Sequence, residues 1–105
     1  MEKFVTFKYE ELVVIRRSRE LAREVYRETH SWPKQENYSG GLANQARRAS
    51  VSVSLNIAEG SGSTKPDFAR FVRISIKSLL EVRECFAVAL ELGYCSTNKK
   101  IRYFD

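Results

Sequence analysis

Apolar positions recur with the helical period over three stretches of the chain. Between about 9 and 30, Val14, Ser18, Leu21, Ala22, Val25 and Thr29 fall on one side, which predicts a first amphipathic helix. A second is predicted over about 42–59, and it carries two apolar faces. Leu42, Ala46, Ala49, Val53 and Ile57 form one, and Val51, Leu55 and Ala58 lie opposite. Such a helix is buried twice, once in its own core and once against a further helix or a neighbouring subunit, so Val51, Leu55 and Ala58 are candidate oligomer-interface residues. The third, over about 65–92, has one long stripe of Phe68, Phe71, Val72, Ser75, Leu79, Val82, Phe86, Ala89 and Leu90. Met1 to Lys8 alternate apolar and polar, which suits a short strand or an arm.

The punctuation agrees with three helices. Trp32-Pro33 ends the first, because the residue before proline is pushed out of the helical region, and Asn37 to Gly41 continue as a polar loop. Gly60-Ser61-Gly62-Ser63 is expected to stop the second through a glycine in the left-handed conformation. Thr64 and Asp67 have capping-box spacing, with Pro66 tolerated in the first turn, and Gly93 is placed as the C-terminal cap of the third helix. The expected fold is all-α: one domain over 1–105, an antiparallel up-down bundle of the four-helix type, with a shortened or missing fourth helix in the tail 95–105.

Charge changes this picture in three places. On the first helix, Arg16, Arg19, Arg23 and Arg27 line one edge away from the apolar face, with Glu20, Glu24 and Glu28 beside them. The edge is either a solvated surface of local ion pairs or a phosphate-tracking stripe, for which the planar fork of arginine is suited. On the third helix, Arg70, Arg73 and Lys77 occupy the N-terminal half of one side, and Glu81, Glu84 and Glu91 follow. That order opposes the helix dipole, so antiparallel neighbours, subunits or an anionic ligand must favour it. Arg47 and Arg48 point about 100° apart and serve different surfaces. Arg48 shares a polar strip with Gln45, Ser52, Asn56 and Glu59.

Arg47-Arg48-Ala49, Ser52 and Asn56-Ile57-Ala58-Glu59-Gly60 resemble the signature of the bacterial 23S rRNA intervening-sequence protein family of four-helix bundles. Glu36, Tyr38, Gly41-Leu42 and Gln45 resemble that family's lead-in. Phe68, Phe71, Ser78-Leu79 and Glu81 resemble its following helix, and Leu92-Gly93-Tyr94 its closing turn. The chain departs from the family at an expanded Asn37 to Gly41, at Leu55 without a nearby proline, and at Ser63 and Lys77 in place of arginine and glycine. The resemblance implies a closed ring of subunits, five in number, and nucleic-acid contact by Arg47 and Arg48. It also relates the chain to accessory variability proteins of diversity-generating retroelements, in which a basic ring meets nucleic acid and a reverse transcriptase.

Composition narrows the class further. A chain of 105 residues with 43% hydrophobic and 30% charged residues is of ordinary globular make-up, with no apolar run near the roughly 20 residues of a membrane span and no leader-like start, which places it in the cytoplasm. The formal charge of +5 permits attraction to RNA, DNA or an acidic protein. Cys85 and Cys95 make no disulfide framework, no metal-ligand spacing occurs, and no cofactor motif is present. His30 stands alone at a helix end, and Ser50, Ser52 and Ser54 have no base beside them, so an enzyme is not expected. Two functions remain. One is a non-enzymatic nucleic-acid-binding accessory protein, with Arg16, Arg19, Arg23, Arg27, Arg47, Arg48, Arg70, Arg73 and Lys77 facing phosphates. The other is a protein-interaction scaffold whose basic surface meets an acidic protein.

Overall fold

The computed structural model describes residues 12–95, which form three α-helices: α1 (Val13–Thr29), α2 (Leu42–Ser61) and α3 (Lys65–Glu91). A short 3-10 turn over Lys34–Glu36 sits in the first connection, and no strand occurs among the described residues. The class is all-α, as expected. The alternating segment Met1 to Lys8 and the tail beyond Cys95, where a shortened or missing fourth helix is expected, lie outside the described residues.

The central element is α2. Both α1 and α3 pack on it, and they make no comparable contact with each other. Its register against α3 is antiparallel, since Ser52 meets Ser78 and Gly60 meets Phe71. With neighbours on two sides, more of its circumference is covered than a single core stripe would be. Ala58, expected on the outward face, packs against the core instead, while Val51 is half-buried and Leu55 is 61% exposed.

The helix α1 starts at Val13, several residues after the expected position, because Leu12 is extended and supplies no side-chain cap. Its buried stripe is Ile15, Ser18, Leu21, Val25 and Thr29; Ile15 takes the place expected for Val14, which is 48% exposed. Packing on α2 therefore begins at Ile15. The two polar members of the stripe are satisfied locally: the Ser18 hydroxyl donates to the Ile15 carbonyl at 2.8 Å, and Thr29 to that of Val25 at 2.8 Å.

The second helix stops within Gly60-Ser61-Gly62-Ser63, as expected, but not through a left-handed glycine. It runs through Gly60 to Ser61, and the only described residues at positive φ are Gly40 and Gly93. Gly60 is there for space. A β-carbon on it would lie 2.6 Å from Cβ of Phe71, so the bare backbone of α2 sets how closely α3 approaches. Gly60→Ala gains about 1 kcal/mol of helix propensity but incurs overpacking of about 1–3 kcal/mol, and a net loss is expected. A lowered urea midpoint checks this; an unchanged or raised one contradicts the close approach.

The third helix begins and ends as its sequence predicts. Thr64 caps it, its hydroxyl accepting from the Asp67 amide at 3.4 Å, and Pro66 stands in the first turn. At the other end, Gly93 has φ +77; its amide donates to Leu90 and that of Tyr94 to Ala89, the paired bonds of a Schellman motif. Ser75, Val82, Cys85 and Ala89 are buried, the Ser75 hydroxyl donating across to the Val53 carbonyl at 2.9 Å. Phe68, Phe71, Val72, Leu79 and Phe86 are half-buried, and Leu90 is exposed. Burial, followed by the charges of Glu81 and Glu84, pushes the Cys85 thiol up to about 11, so it stays protonated at neutral pH and acts in packing.

Candidate functional site

The connection between α1 and α2 is held by Glu36. One carboxylate oxygen accepts the Leu42 amide at 2.9 Å, an unpaired donor in the first turn of α2, and the other accepts the Tyr94 hydroxyl at 2.6 Å. One side chain thus ties the loop to the start of α2 and the end of α3. Gly41 is required beside it, because a β-carbon there would run into the Glu36 carbonyl. The Leu42 amide, then the Tyr94 hydroxyl, lower the Glu36 pKa below its ordinary 4.5, and the bond to Glu36 raises that of Tyr94 above 10.

These shifts fix the sign of a pH effect. The Glu36 contribution is present above pH 4.5 and is lost as pH falls through the lowered folded value. The Tyr94 contribution is complete below pH 10 and is lost as pH rises through the raised folded value. Glu36→Ala is expected to lower the urea midpoint at neutral pH, and the gap between variant and parent should close on acidification. A gap that stays constant down to the acid transition contradicts the tie.

Arg47, implied by the resemblance to contact nucleic acid, is engaged within the chain. Its Nε donates to the Thr29 hydroxyl at 2.8 Å, and its guanidinium lies 5.3 Å from the centre of the Tyr26 ring. The group therefore clasps α1 to α2 and occupies a face of Tyr26, the ring closest to the first arginine edge. Arg47→Ala is expected to cost about 1.5–3 kcal/mol, the range for a hydrogen bond to a charged group. Double-mutant coupling with Thr29→Val measures it, and additive effects contradict the clasp.

The remaining arginines fall on separate surfaces. Arg16, Arg19, Arg23 and Arg27 are all exposed on the outer edge of α1, and Arg16, Arg23 and Arg27 engage no other side chain among the described residues. Arg70, Arg73 and Lys77 lie on a flank of α3. Of these, Arg70 has local partners, Asp67 at 3.9 Å and the ring of Phe71 at 4.4 Å. The basic residues singled out along the chain thus form an α1 edge and an α3 flank within one subunit, with Arg47 removed from both. His30 is exposed at the C-terminal end of α1.

Arg48 belongs to a different feature, an open cleft between α2 and α3 of about 330 Å³, lined by Gln45, Arg48, Ala49, Ser52, Ser78 and Glu81. The polar strip read around Arg48 extends here to residues of α3. Ser52 Oγ accepts from Ser78 Oγ at 3.0 Å and from the Asn56 amide at 3.0 Å. Antiparallel packing puts Arg48 and Glu81 on the same cleft, yet they form no ion pair. The opposed charge order of α3 is therefore not explained by pairing with α2.

Sequence reading missed two exposed apolar residues on α3. Ile76 is 52% and Leu80 57% exposed, on the side away from α2, and their spacing of four residues was the available signal.

Helices packed on a central α2, a basic outer edge, and no group of potential metal ligands among the described residues define a small helical-bundle protein. None of the described helices is long and apolar enough to cross a membrane. The chain belongs to the 23S rRNA-intervening sequence protein family, whose model matches residues 10–104. No curated protein sequence matches it.

Proposed function

We propose that this protein is a non-enzymatic, cytoplasmic accessory protein that binds nucleic acid through phosphates, acting as a homo-oligomeric ring. The observation that carries the reading is the outer edge of α1, where Arg16, Arg23 and Arg27 stand exposed and uncommitted beside Arg19. From Arg16 to Arg27 the edge runs about 16 Å, at about 1.5 Å per residue. That is the axial length of about five nucleotides of one strand, and contacts to phosphate carry affinity without reading sequence. Arg73 and Lys77 on α3 supply a second basic surface when several subunits are brought together.

Assembly is supported by apolar surface left outside the bundle: Leu55 with half-buried Val51 on α2, and Ile76 and Leu80 on α3. Exposed side chains of this size favour burial by about 1.5–3 kcal/mol each. Five subunits, a four-helix type of bundle with a short last helix, and a reverse transcriptase as protein partner are extensions from the family resemblance. The test is competition. A complex with labelled structured RNA or duplex DNA should be displaced by unlabelled nucleic acid, in a particle of several subunit masses. A monomer, or an acidic protein partner held regardless of added RNA, would favour the scaffold reading instead.

A further inference from the structure

The cleft between α2 and α3 is not used by the phosphate-binding edge, and its lining is unusual. All six residues, Gln45, Arg48, Ala49, Ser52, Ser78 and Glu81, are positions singled out in the sequence by the motif resemblance. Its volume of about 330 Å³ lies at the small end of the range for small-molecule sites. Arg48 offers a planar fork of donors, and Glu81 a pair of acceptors. Both are exposed on the same cleft, and neither makes a hydrogen bond or ion pair with another side chain among the described residues.

Ser52 adds a third fixed group. Its hydroxyl is hydrogen-bonded to Ser78 and to the Asn56 amide, which holds it in place on the cleft wall. A ligand for this lining must present adjacent donors to a carboxylate and adjacent acceptors to a guanidinium. Among the bases only guanine does so. Its N1–H and N2 amino group face a carboxylate, and its O6 and N7 face an arginine fork. Adenine places the N1 lone pair beside its amino group and would set it against Glu81.

Resting on the nucleic-acid reading above, we propose that the α2–α3 cleft receives an unpaired guanine base, held between Arg48 and Glu81. The phosphate edge on α1 then supplies affinity, and the cleft supplies a preference for nucleic acids with an accessible guanine. Unstacked bases in loops and bulges are the usual targets of sequence-selective recognition in RNA.

The experiment is titration of the full chain with guanosine, adenosine and inosine 5′-monophosphates, followed by backbone amide shifts. The three share ribose and phosphate, so the arginine edges contribute equally. Guanosine monophosphate is expected to bind about tenfold more tightly than the adenosine compound, in line with one bidentate base contact. Inosine monophosphate, which lacks the N2 amino group, should fall between them, and shifts should centre on Arg48, Ser52 and Glu81. E81Q and R48K are each expected to abolish the preference while leaving the remaining amide spectrum unchanged. Equal binding of the three nucleotides, shifts centred elsewhere, or a preference that survives E81Q would overturn the proposal. Failure of the two readings is distinguishable. RNA binding without guanine preference removes the cleft alone, whereas guanine preference without RNA binding removes the phosphate edge.

Discussion

Trp32→Ala is expected to lower the stability of the fold by about 3–5 kcal/mol, the range for removing a large buried aromatic side chain. The residue is 3% exposed and meets Phe86 edge-on, with ring centres 5.1 Å apart, and Tyr94 at 6.0 Å. It therefore joins the end of α1 to the last turns of α3, two elements that otherwise share little. Losing it leaves a cavity in the aromatic cluster that closes the three-helix arrangement. Urea unfolding followed by far-ultraviolet circular dichroism measures the effect. Trp32→Phe should cost much less, because the indole N–H is buried without a hydrogen-bond partner and its removal forfeits none. Equal losses in the two variants would mean that the ring cluster is not what closes the bundle.

The second large effect is on binding. Replacing Arg16, Arg23 and Arg27 together by alanine takes the formal charge from +5 to +2. If each arginine neutralises one phosphate, the slope of log K against log salt should shrink by about 2.7 for duplex DNA and about 2.1 for a single strand. At 0.1 M salt the corresponding loss of affinity is about 10²–10³-fold. Stability should stay within about 0.5 kcal/mol, since the residues are exposed and unpaired. Arg47 is unsuitable for such a test, because removing its bond to Thr29 disturbs the α1–α2 contact and would imitate a loss of binding. A triple variant with an unchanged salt slope would place the phosphates elsewhere on the surface.

The helices were legible because their signals are local. Thr64, Pro66 and Gly93 mark the limits of α3, and Ala46, Ala49, Val53 and Ile57 face the core of α2 as their spacing predicts. What was not legible depends on residues far apart in the chain. Glu36 and Tyr94 are separated by 58 positions, and no periodicity connects a carboxylate in a loop with a phenol beyond a helix. Trp32 was readable as part of a helix stop but not as a core residue, since its partners belong to α3. Gly60 illustrates the same limit: a glycine near a helix end looks like a cap, and only the position of Phe71 shows that it makes room.

The candidate site was legible as residue types and not as groupings. Spacing correctly put Arg16, Arg19, Arg23 and Arg27 on one edge of α1 and separated Arg47 from Arg48. It contained nothing to say that Arg47 would turn to Thr29 and Tyr26, or that Glu81 would face the cleft of Arg48. The opposed charge order of α3 was visible from the start. Its acidic half contributes Glu81 to that cleft, while Arg73 and Lys77 in the basic half engage no other described side chain.

The most direct measurement is titration of the purified protein against labelled structured RNA and duplex DNA at about 50 and 200 mM salt, with particle mass taken by light scattering on the same sample. Binding through six to ten phosphate contacts across an oligomer predicts a loss of about 10³–10⁵ in affinity between the two salt concentrations, in a particle of several subunits. A protein of the same oligomeric mass that binds neither nucleic acid at the lower salt would contradict the account.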